Sequence, residues 1–69
     1  MLLGQAILYL NPRTVQRFTV TSCRHIPEIN LKSGDFIAFH RYELNGNDVL
    51  NREVIHIDCV DNMINFEIE

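Results

Sequence analysis

Several features are scarce in this chain, and each scarcity removes a class of protein. Two cysteines in 69 residues allow at most one bridge, so this is no disulfide-built scaffold. The longest apolar run, at the start, is only about ten residues (1–10), half of what a bilayer-crossing helix needs. It has no basic flank before it and no convincing small-residue cleavage site, so it reads as core rather than as an export signal. That default places the chain in a reducing cytoplasm, with Cys23 and Cys59 as free thiols. There is no internal repeat, no low-complexity tract and no linker long enough to divide the chain, so residues 1–69 form one small β domain.

Basic charge is scarce as well. Net charge is −3, and five of the six basic residues are arginine. The distribution is uneven. Residues 1–27 carry Arg13, Arg17 and Arg24 and no acid, while all nine acids fall in residues 28–69 beside Lys32, Arg41 and Arg52. Phosphate binding needs a concentrated positive field, which an acidic chain supplies at most locally, in its amino-terminal third.

What is present is a hydrophobic fraction of 46%, ordinary for a folded domain, arranged mostly with a period of two. The clearest case is 54–60 followed by 63–69. A two-residue turn at Asp61-Asn62 sets Cys59 opposite Ile64, Ile57 opposite Phe66 and Ile55 opposite Ile68 on an apolar face. The polar face then pairs Asp58 with Asn65 and His56 with Glu67. Ile55, Ile57 and Phe66 are expected to point inward together.

Upstream, residues 16–24 read as a half-exposed strand with Phe18, Val20 and Ser22 on one face. Residues 2–10 read as a strand buried on both faces, with a short helix as the competitor. Asn11-Pro12 breaks that run, and one helical turn or a plain turn follows near 12–16. Gly34-Asp35 opens a strand from Phe36, and Asn45-Gly46 is a hairpin signal joining it to the strand at 54. In that hairpin Phe36 and Ala38 share a face with Ile55 and Ile57. Ile37, Phe39 and Arg41 share the other with Arg52, Val54 and His56. Five short strands imply an all-β fold: a strongly bent antiparallel sheet or a partly open barrel of SH3-like or OB-like shape. The phrase Leu31–Phe39 resembles the Gly-Asp turn that opens a strand in SH3-like barrels, a likeness of fold shape alone.

No chemistry-bearing motif stands out. Cys23 with His25, and His56 with Asp58, share strand faces, but neither pair has the spacing of common zinc sites, so no metal or cofactor is expected. His56, Asp58 and Cys59 adjoin in sequence, yet alternation turns Cys59 away from the other two, and no nucleophile elbow is present. No catalytic residue is assigned. The expectation is a non-catalytic protein-interaction or self-assembling module with a protein or a second copy as partner, of the size of a microbial or viral accessory or inhibitor protein. Its contact face would comprise Ile37, Phe39, Arg41, Arg52 and Val54, aliphatic and phenyl groups rimmed by arginine. The rival is an SH3-like or OB-like nucleic-acid binder using Arg13, Arg17, Arg24 and Arg41.

Overall fold

The computed structural model describes all 69 residues, Met1–Glu69. One helix, α1 (Leu3–Leu8), precedes four strands: β1 (Arg17–Ser22), β2 (Phe36–His40), β3 (Val54–Val60) and β4 (Met63–Ile68). Two single 3-10 turns, Pro27–Ile29 and Asp48–Asn51, lie in the connections. The strands form one sheet in the order β2-β1-β4-β3. Both β1–β2 and β3–β4 are antiparallel, whereas the central β1–β4 pair is parallel. The fold is a small all-β domain, with a mixed sheet of four strands in place of five antiparallel ones.

The difference lies in residues 2–10. Leu3, Ala6 and Ile7 are buried, the i, i+3, i+4 spacing of a helix face, while Leu8 and Tyr9 are exposed. The Gln5 side chain reaches back to accept from the Leu2 N–H (2.9 Å), satisfying one of the helix's free donors. Gly4 lets the helix lie close on Leu50: a Cβ at that position would stand 3.3 Å from both the Leu50 Cβ and its carbonyl oxygen. After α1 the chain turns once at 11–15, where Thr14 and Val15 N–H both donate to the Asn11 carbonyl.

Asn45-Gly46 does not close a β2–β3 hairpin. Leu44 and Val49 on either side are buried in the core, so the chain makes successive turns there and then the 3-10 turn at Asp48. Asn47 caps that turn by accepting from the Val49 N–H (2.9 Å). β2 pairs instead with β1, setting Phe39 beside Phe18 and Ile37 beside Val20. This register aligns apolar with apolar on the covered face, whereas the hairpin would have set Ile37 and Phe39 among charges.

The β3–β4 hairpin keeps the expected pairs Cys59–Ile64, Asp58–Asn65, Ile57–Phe66 and His56–Glu67. Asp61 and Asn62 take φ of 52° and 65°, both left-handed, as a two-residue turn of the I′ kind requires. One pair differs. A bulge between Val54 and His56 leaves Ile55 unpaired and sets Val54 opposite Ile68.

The core lies on one side of the sheet, where α1 and the loop residues Ile26, Leu31, Leu44 and Val49 cover Phe18, Val20, Phe66 and Ile68. Phe18 is its centre. Its ring meets Phe66 edge-on (centroids 5.6 Å apart, 71°) and Phe39 at a tilt (6.2 Å, 38°). Phe18→Ala is expected to cost about 3–5 kcal/mol. That equals the whole net stability of a core this small, roughly 3–5 kcal/mol. Urea unfolding followed by circular dichroism should therefore find about half of the variant unfolded without denaturant, and a loss under about 1 kcal/mol would refute Phe18 as the centre of the core.

Candidate contact surfaces

The five residues expected to form a contact face are held from within. Ile37 and Phe39 are half-buried on the covered side of β2, and Val54 is half-buried on β3; all three pack against the core. Arg41, at the end of β2, donates from Nη1 to the Val15 carbonyl (3.1 Å) and from Nη2 to the Ile7 carbonyl (3.4 Å). It thereby ties the end of α1 and the following turn to the sheet. Arg52 grips Glu28 with both ends of its fork, Nε to Oε2 (2.5 Å) and Nη2 to Oε1 (3.0 Å), while Nη1 donates to the Glu69 carbonyl (3.0 Å). The apolar part of that mixed face is thus covered by α1 and the turns of the same chain.

The arginines of the rival reading do not converge. Arg13 is exposed in the turn after α1, and Arg17 is exposed at the start of β1, beside His40. Arg24 is exposed beyond the other end of β1, on the order of 20 Å away along the strand. Arg41 is half-buried and committed to the two carbonyls already named.

The side of the sheet that α1 does not cover carries polar members of β1, β4 and β3, and on β2 the exposed Phe36 with Ala38 and His40. A hydrogen-bonded row crosses the first three of these strands. Thr19 Oγ1 donates to Asn65 Oδ1 (2.8 Å), and Asn65 Nδ2 donates to Asp58 Oδ1 (3.1 Å). Asp58 Oδ2 stands 3.8 Å from His56 Nε2. Asn65 is only 2% exposed, and this row satisfies it, so the row fixes the register of β1, β4 and β3. Cys23 Sγ lies 3.5 Å from Glu67 Oε2. No three His, Cys, Asp or Glu side chains gather where an ion could be held.

Ile55 and Ile57 depart from expectation. Ile57 pairs with Phe66, on the covered side, but β3 is an edge strand beyond the buried cluster, which draws its strand residues from β1 and β4. Ile55, at the bulge, is 54% exposed and Ile57 51%, and Cys59, on the same side as Ile57, is exposed as well. The pairing register that identified the face was legible; the width of the cover over it was not. A second exposed group, Leu8, Tyr9 and Tyr42, stands near the end of α1, where Arg41 holds β2 to the helix.

The Arg52 fork fixes the protonation behaviour of Glu28. Its hydrogen bonds hold the Glu28 carboxyl below its ordinary value of 4.5 and raise the guanidinium in return. A carboxyl with a depressed folded-state value stabilises the fold above pH 4.5, and that contribution is lost as pH falls below it. Arg52→Met should therefore lower the urea midpoint near about pH 7, and its deficit relative to wild type should narrow as pH is taken towards roughly 3. A deficit independent of pH would show that Arg52 acts only through the Glu69 carbonyl and its own packing. Compared with known proteins, the chain matches no protein family, no curated protein and no solved structure.

Proposed function

We propose that this chain is a non-catalytic protein-interaction module whose contact surface is the free edge of β3, with Ile55, Ile57 and Cys59 as its exposed apolar residues. One observation carries the reading: two isoleucines stand half out of water on the longest strand, at the rim of the sheet. An edge strand presents unpaired N–H and C=O groups, and proteins usually blunt such edges with lysine, proline or a covering segment. Val54–Val60 contains neither lysine nor proline. Its bulge and the Val54 N–H bond to the Met1 carbonyl protect one end only. Adding a strand there supplies main-chain hydrogen bonds, and alternate side chains supply the desolvation.

Ile37, Phe39, Arg41, Arg52 and Val54 serve this surface indirectly. They hold the cover over the neighbouring strands and the start of β3, and leave the rest of β3 outside it. A cytoplasmic setting agrees with two exposed, unpaired thiols. The nucleic-acid reading has no comparable support, because Arg17 and Arg24 stand at opposite ends of β1 and Arg41 is occupied. Retardation of an oligonucleotide that weakens with salt and with Arg13→Ala or Arg17→Ala would revive it.

The test is a photo-reactive residue in place of Ile57, which the exposure of that side chain tolerates, with the same group at Lys32 as control. In cells, position 57 should form protein adducts, either with itself or with another chain, well above position 32. Equal labelling at the two positions would remove β3 as a contact surface.

A further inference from the structure

The exposed apolar residues and those between them are symmetric in sequence about Ile57. Reading outward from Ile57, the strand has His56 and Asp58, then Ile55 and Cys59. Resting on the reading of β3 as the contact edge, we propose that its occupant is β3 of a second copy of this chain. The two strands run antiparallel about a two-fold axis through Ile57. The pairs are then Ile57 with Ile57 and His56 with Asp58, the second formed twice, and the bulge at Ile55 of each copy comes beside Cys59 of the other. On the uncovered side two imidazoles meet two carboxylates. On the α1 side the Ile57 side chains, each half-exposed in the monomer, close on one another.

Other registers are disfavoured by the same side chains. Moving the axis to Asp58 sets Asp58 against Asp58, like charges directly opposite. Moving it to His56 sets imidazole against imidazole and brings the Asp58 carboxylate against apolar Val54. A shift that pairs odd with even positions places the polar side of one copy beside the apolar side of the other. Only the axis at Ile57 matches both charge and hydrophobicity. It also runs perpendicular to the sheet, so both α1 helices lie on one side of a continuous eight-stranded sheet.

The rest of the surface specifies its occupant less well. The free edge of β2, Phe36–His40, carries no charge pair that would select a register beyond its one histidine. Leu8, Tyr9 and Tyr42 form an apolar group with nothing to define what covers it. The accessible surface of the chain is 4477 Å². A standard interface takes about 800 Å² from each partner, close to a fifth of that area, so the contact would have to extend past the strand to the flanks of α1.

The register can be read by cross-linking. In a Cys23→Ser, Cys59→Ser background, Ile57→Cys brings two thiols together at the axis. Facing Cα atoms in an antiparallel pair are about 4.5–5.5 Å apart. That lies within disulfide reach, so mild oxidation should give a covalent dimer whose circular dichroism matches the wild type. Cys59 should not cross-link to its own copy in the native chain, since the two lie on the order of 13 Å apart in this register. His56→Asp should weaken the dimer about tenfold or more, each pair counting twice, and His56→Asp with Asp58→His should restore it, as read by sedimentation. A Cys59–Cys59 disulfide in the native chain would overturn the register. Adducts from position 57 with another protein, with no disulfide from Ile57→Cys, would overturn self-pairing and leave β3 a contact edge. Neither disulfide nor adducts would end both.

Discussion

Phe18 decides the arrangement of everything else. Its ring sits between Phe39 of β2 and Phe66 of β4, and those contacts require β1 to lie between the two strands. With β1 central, β4 takes its other side, running parallel to it, and β3, joined to β4 by two residues, has only the rim left. The parallel pair also explains the long excursion of residues 23–62. Two parallel neighbours cannot be joined by a tight turn, so the chain passes through two 3-10 turns, β2 and β3 before it returns. Along that path it delivers Ile26, Leu31, Leu44 and Val49 to the core.

Local patterning was legible and long-range pairing was not. The β3–β4 register could be read because Asp61-Asn62 and the alternation on both sides specify it together; only the bulge at Ile55 escaped, since nothing in Val54-Ile55 announces an extra residue. The strand at Phe36 is equally plain, but its partner is not. Asn45-Gly46 is a strong local signal, and it lost to the alignment of Ile37 and Phe39 with Val20 and Phe18, a match between segments some twenty residues apart that no local motif records. In residues 2–10 the helical spacing Leu3-Ala6-Ile7 was present but hidden, because Leu8, Tyr9 and Leu10 are apolar too and erase the contrast between faces.

The contact face failed to read for a related reason. Arginines beside aliphatic and phenyl groups look alike whether they rim an interface or fasten a lid. Arg41 and Arg52 fasten one: the first holds a carbonyl at the end of α1 and another in the turn after it, the second holds Glu28 and the Glu69 carbonyl that follows β4. Sequence identifies which residues can make such bonds; only the three-dimensional path shows that carbonyls and carboxylates of the same chain already take them.

A domain of this size has one short helix to cover four strands, and a six-residue helix is about 9 Å long. Neighbouring strands lie about 4.8 Å apart, so four strands span roughly 14 Å between the outer axes, more than such a helix and its flanking turns can shield. Something on the covered side must stay wet. The choice falls on β3 because β1 and β4 carry the aromatic cluster and β2 is held by Phe39 and Arg41. The exposed isoleucines are thus a consequence of geometry before they are a device. Geometry alone, however, would be met equally well by polar residues at 55 and 57, at no cost to the core. Isoleucine at both positions, with a histidine and an aspartate flanking Ile57 and no lysine or proline to blunt the edge, is the composition expected when the missing cover is another strand.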